Sequence, residues 1–146
     1  MNLMNISSFA RSQETAESWL KRVQEKVHLN NEEEAYVVLR AVLHTLRDRL
    51  TVNEAADFGA QLPLLLAGVY YNGWSPKDKP VKMKSKEEFV AHVADTLPQG
   101  VDPRDATLGT LNVIREKITE GEVENIKAEL PKSIEQFWSA NELINP

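Results

Sequence analysis

The sequence contains no cysteine, which excludes disulfides, thiol nucleophiles and cysteine-ligated metals. It has no apolar run long enough for a bilayer. The most apolar stretch, "LPLLLAGVYYNGW" at 62–74, opens with only about ten continuous apolar residues, where a spanning helix needs about 20. Positive charge is scarce as well. The net charge is −5, and a general nucleic-acid binder needs a cationic face to displace counterions from phosphate. The opening "MNLMNISSFARSQ" lacks the cationic leader and apolar run of a secretory signal, so a bacterial cytoplasmic location is expected. Its three histidines form no H-x-x-x-H or H-E-x-x-H pattern, and no phosphate-binding glycine loop or G-x-S-x-G elbow is present. No metal and no cofactor are expected.

What remains is an ordinary balance for a globular chain of 146 residues, 42% apolar and 27% charged, with an internal repeat. "LRDRLTVNEAADFGAQLP" at 46–63 aligns without a gap with "IREKITEGEVENIKAELP" at 114–131. Arg47 meets Arg115, Asp48 meets Glu116, Thr51 and Glu54 meet Thr119 and Glu122, and Leu62-Pro63 meets Leu130-Pro131. Further on, Val69 and Tyr70 meet Phe137 and Trp138. Upstream, with a small slip of register, Trp19, Val23 and Val27 meet Phe89, Val93 and Leu97.

Each copy reads as four short helices. In the first, Trp19, Leu20, Val23 and Val27 share a face of a helix that starts near Gln13. Asn31 opens a second helix with Glu34 as reciprocal partner, and Ala35, Val38, Leu39, Val42, Leu46 and Leu50 form its buried stripe. Thr51 and Glu54 box the start of a third helix, and Pro63 suits the first position of a fourth. The second copy repeats the grammar with Ser85 and Glu88, Asp102-Pro103, Thr119 and Glu122, and Pro131. Nothing of useful length alternates at period two, so no sheet is expected. The spacing thus predicts an all-α fold: a single domain, residues 1–146, of two pseudo-symmetric repeats of about four short helices, at about 13–71 and 85–142. The linker, about 72–84, carries Gly73, Pro76 and Pro80, and reads as flexible and soluble.

The wording of "AVLHTLRDRLTVNEAADFGAQLPLLLAGVYYNGW", followed by "KSKEEFVAHV" and "ELPKSIEQFW", resembles the bacterial domain-of-unknown-function family DUF2267. The resemblance runs from about Thr15 to Trp138. It implies an all-helical, mostly bacterial protein, and it carries no activity and no catalytic residue with it.

Three groups of residues are candidates for function. His44, Arg47 and Asp48 fall at i, i+3 and i+4 on one helix face. Such a trio could make a base oriented by a carboxylate beside an anion-holding arginine, or simply a polar helix end. Arg47 and Asp48 recur as Arg115 and Glu116 while His44 becomes Asn112, which favours a structural corner. Lys77, Lys79, Lys82, Lys84 and Lys86 make a cationic stripe that could dock onto an acidic partner or the other copy's carboxylates, and that fits a solvated linker better. Finally, Leu64, Ala67, Gly68 and Tyr71 make a second apolar face on the fourth helix, with Trp74 just beyond it. The second copy has Lys132, Glu135 and Gln136 in place of Leu64, Ala67 and Gly68, so something must cover this face in the first copy alone. The expected cover is the other repeat, then the linker with Trp74, then a second chain.

These features favour a non-catalytic helical interaction or assembly module, whose partner is an unidentified protein or a second copy in a homodimer. Nucleic acid and membrane are not expected partners. The alternative is a small-molecule binding protein or enzyme with its pocket between the two repeats.

Overall fold

The computed structural model describes residues 5–144, with side chains described through residue 139. The opening "MNLM" of the segment read above for a leader lies outside the described residues. Among the described residues every regular element is helical: α1 Ser7–Val27, α2 Glu32–Arg49, α3 Val52–Gly59, α4 Leu64–Tyr71, α5 Lys86–Ala94, α6 Pro103–Lys117, α7 Glu120–Glu129 and α8 Lys132–Ile144.

Side-chain caps decide where five of these helices begin. Asn31, Thr51, Ser85, Asp102 and Thr119 each accept the backbone N–H three residues on. Each bond satisfies one of the free donors of a first turn. The return half of the box is displaced. Glu34 accepts from Asn30 N at 3.0 Å and Glu88 from Lys84 N at 3.1 Å, one residue ahead of the cap.

At α3 and α7 the return half is exchanged. Glu129, at the end of α7, accepts Thr51 N at 2.9 Å and the Thr51 hydroxyl at 2.8 Å. Gln61, just beyond α3, accepts Thr119 N at 3.1 Å. Gln61 and Glu129 are matched positions in the aligned segments, so each helix start is closed by the tail of its counterpart. A carboxylate at an N-terminus also suits the helix dipole.

α2 and α6 form the centre. They pack on one another, and each also carries helices from both ends of the chain: α1, α4 and α5 on α2, and α1, α5 and α8 on α6. α3 packs on α7. One continuous core results, with Trp19, Leu39, Leu46, Tyr70, Phe89, Leu111, Ile114 and Trp138 all nearly inaccessible. Each such side chain contributes roughly 1.5–3 kcal/mol by burial. On the rim of the α1–α6 contact, Arg22 grips Glu116 with two bonds of 2.8 Å.

Two expectations are corrected here. α1 starts at Ser7 and not near Gln13. Its first turns carry no stripe of their own, but Ser12 is buried and its hydroxyl accepts Leu65 N at 2.7 Å, a tertiary contact that sequence periodicity does not register. The connection at 72–84 is not a loose linker. Val81 N donates to Asp48 O at 2.7 Å, Arg49 Nε donates to Met83 O at 3.1 Å, and Met83 is 1% exposed, so its second half is strapped across the end of α2. The lysines at 77, 82 and 84 point to solvent.

Candidate functional site

The polar trio on α2 is spent on the end of α4. Arg47 is buried, and its Nη1 donates to the carbonyls of Tyr70 at 2.5 Å and Asn72 at 2.8 Å while Nε donates to Asp48 at 3.0 Å. Nε2 of His44 lies 2.7 Å from Val69 O. A carbonyl can only accept, so Nε2 carries the proton. Burial lowers the His44 pKa, keeping the ring neutral, and the Val69 bond only partly opposes it. The last carbonyls of α4 thus receive the donors that no further helical turn supplies. The residues that a base and its orienting carboxylate would need are brought together, but as a helix-end clamp. The recurrence of Arg47 as Arg115 already pointed this way; Arg115 stands 5.5 Å over the Trp138 ring.

The second apolar face of α4 is real and open. Leu64 is 61% exposed and Leu65 51%, and a Cβ added at Gly68 would meet nothing within 4 Å. α4 packs on α1, α2 and α3, so the expectation that the other repeat covers this face is corrected. Leu66 and Tyr70 on the inner side, Ser12 at the start and the His44–Arg47 clamp at the end hold the helix without it. Ala67 is half-buried against the core and leaves the surface. Tyr71 lies flat over α3: a Cβ at Gly59 would fall on its hydroxyl and ring, which explains a glycine there. Trp74 meets Tyr71 edge-on at 5.9 Å, so the connection covers only the far end of the face. An aromatic ladder runs inward from it, with Tyr71 on Tyr70 at 4.9 Å and Tyr70 on Phe58 at 5.2 Å. Phe9, one turn before Ser12 on α1, is a further exposed apolar side chain, at 38%.

One feature of the α3–α7 contact escaped sequence reasoning. Glu54 and Glu122, matched positions in the aligned segments, are 8% and 6% exposed and meet there. Burial first, then the hydrogen bond to and charge of Glu122, push the Glu54 pKa up to about 8. Asp57 and Glu129 add to the push. Oε2 of each glutamate is reached by no N–H or hydroxyl donor, which a proton held between the two carboxyl groups explains. Both were read only as partners in capping boxes, and their sequence pairing was the signal that could have placed them face to face.

Among the described residues no group of three or more histidine, aspartate or glutamate side chains could hold a metal ion, and no helix is long and apolar enough to cross a membrane. The class these observations define is an all-helical protein whose conspicuous surface feature is apolar. A family model described as an uncharacterised conserved protein, DUF2267, matches residues 16–137, and the chain belongs to that family. No curated protein matches the chain.

Proposed function

We propose that the protein is a non-catalytic helical interaction module of the bacterial cytoplasm, built from two related four-helix units, and that the outer side of α4 is its docking face. The observation that carries this reading is the exposure of Leu64 and Leu65, at 61% and 51%, on a helix that is otherwise firmly fixed. Contiguous exposed leucines beside small residues and a tyrosine are costly to leave wet and favour contact with another apolar surface. The most specific occupant is a second copy of the chain, meeting α4 against α4 around a twofold axis, where the open Gly68 lets the helices approach closely. A helix of eight residues offers less than the roughly 800 Å² per partner of a standard stable interface, so the association is weak and concentration-dependent.

The test replaces Leu64 and Leu65 by the residues aligned with them in α8, Leu64→Lys with Leu65→Ser. Stability changes by no more than about 0.5 kcal/mol, as for exposed positions, while sedimentation equilibrium shows the loss of a dimer that the parent forms at high concentration. A parent that stays monomeric at every concentration overturns the second copy as occupant. A large loss of stability in the variant overturns the docking face itself.

A further inference from the structure

A cleft of about 410 Å³ runs along α5 from Lys86 to Ala94, against the start of α6 and the middle of α8. All of its lining residues come from the second half of the chain, whereas the alternative reading of the sequence placed a pocket between the two repeats. Val90, Ala91, Ala94 and Pro103 supply apolar wall, and the Phe137 ring closes it. Two cations converge on that ring. Lys86 Nζ is 5.7 Å from its centroid and the Arg104 guanidinium carbon 5.2 Å. Neither is ion-paired among the described residues, although the protein carries net charge −5 and acidic partners are abundant. One carboxylate, Glu87, shares the rim.

Two like charges held at one aromatic ring repel each other, and attraction to the ring face offsets this only modestly at an exposed site. The fold does not require the arrangement. The positions that align with Lys86, Arg104 and Phe137 in the first half are Ala16, Tyr36 and Val69, and α1, α2 and α4 pack on one another there with no cation at those positions. Removing wall from water favours an apolar body, and an anion placed between Lys86 and Arg104 relieves their repulsion. The volume lies within the range of small-ligand sites.

We propose that this cleft binds a small amphiphilic monoanion, an aromatic or medium-chain organic acid, with its apolar body on Val90, Ala94 and Phe137 and its carboxylate between Lys86 and Arg104. The site is independent of the α4 face, and its failure leaves the docking reading untouched.

The experiment titrates the protein with 2-naphthoate and, separately, with 2-naphthalenemethanol, which has the same ring system and no charge, followed by chemical-shift perturbation. Naphthoate shifts the amides of α5 and the start of α6 saturably and binds at least tenfold more tightly than the alcohol. Arg104→Gln, at an exposed position that the core does not use, weakens the acid severalfold and leaves the alcohol unchanged, Lys86 still favouring the anion. Val90→Arg, which fills the apolar wall, abolishes both, while its unchanged far-ultraviolet circular dichroism shows that the fold is retained. Absence of saturable binding by naphthoate, equal binding of acid and alcohol, or an Arg104→Gln variant with parental affinity overturns the proposal.

Discussion

α4 and α8 begin at the same Leu-Pro and bury matching residues, Leu66 and Tyr70 in one and Ile134 and Trp138 in the other, yet they present opposite outer surfaces. α4 shows Leu64, Leu65 and Gly68 to solvent; α8 has Lys132, Ser133 and Gln136 there, and carries Phe137 beneath two cations instead. The inner residues are those a helix needs to stay in place. The outer ones are free to differ, and it is on them that the proposed docking face and cleft rest.

The comparison breaks first at the arginines. Arg47→Met leaves the Tyr70 and Asn72 carbonyls without their charged donor, and is expected to cost about 3 kcal/mol in urea unfolding. Arg115→Met tests whether the aligned arginine does the same work at α8. An equal loss makes the two clamps equivalent; a loss below half of it confines the clamp to the apolar helix.

The glutamate pair tests whether the halves meet as equals. The folded-state pKa of Glu54 lies above its unfolded value, so the folded protein holds more protons between the two. The stability this contributes is complete below about pH 4.5 and is lost as pH rises through about 8. Glu54→Gln removes the titrating group and keeps a hydrogen-bonding side chain. The variant is expected to lose this downward slope between pH 5 and 9 and to exceed the parent by about 2 kcal/mol at pH 9. Glu122→Gln should make the slope shallower without abolishing it, because it removes the charge beside Glu54 and leaves the burial that is the larger cause. A parental slope in both variants disproves the pairing.

The smallest effect separates the two caps. Thr51 bonds a carboxylate, Glu129, through both its N–H and its hydroxyl, whereas Thr119 has a neutral amide, Gln61, on its N–H alone. Charge-assisted bonds are the stronger. Thr119→Ala is therefore expected to cost about 1 kcal/mol and Thr51→Ala nearer 2. Equal midpoints in urea would mean that the Thr51 hydroxyl bond to Glu129 contributes nothing.

Helix starts were legible because caps are local: a Thr three residues before a Glu announces a free first turn whatever packs on it. The buried stripes of α2 and α6 were legible for the same reason, since periodicity survives without knowledge of partners. What lay hidden was every interaction between distant segments. The partner of Ser12 is a backbone N–H in α4, the strap at Met83 follows two proline breaks, and the Lys86–Phe137–Arg104 corner joins three helices. The α4 face was identified as apolar from its residues, but its exposure depends on where the other helices stop, which no window of sequence contains.

The packing of α1 on α6 sets the order in which this chain can be completed. α1 leaves the ribosome well before its covering helix, Pro103–Lys117, from which four other helices and their connections separate it. Until then Trp19 and Val23 have only α2 and α4 to shelter them, and Arg22 has no Glu116 to hold. Contacts between segments so far apart in sequence slow folding, because chain closure must precede the interactions that reward it. The N-terminal half therefore waits for the C-terminal half, and the chain is expected to fold in one late, concerted step and not unit by unit during synthesis.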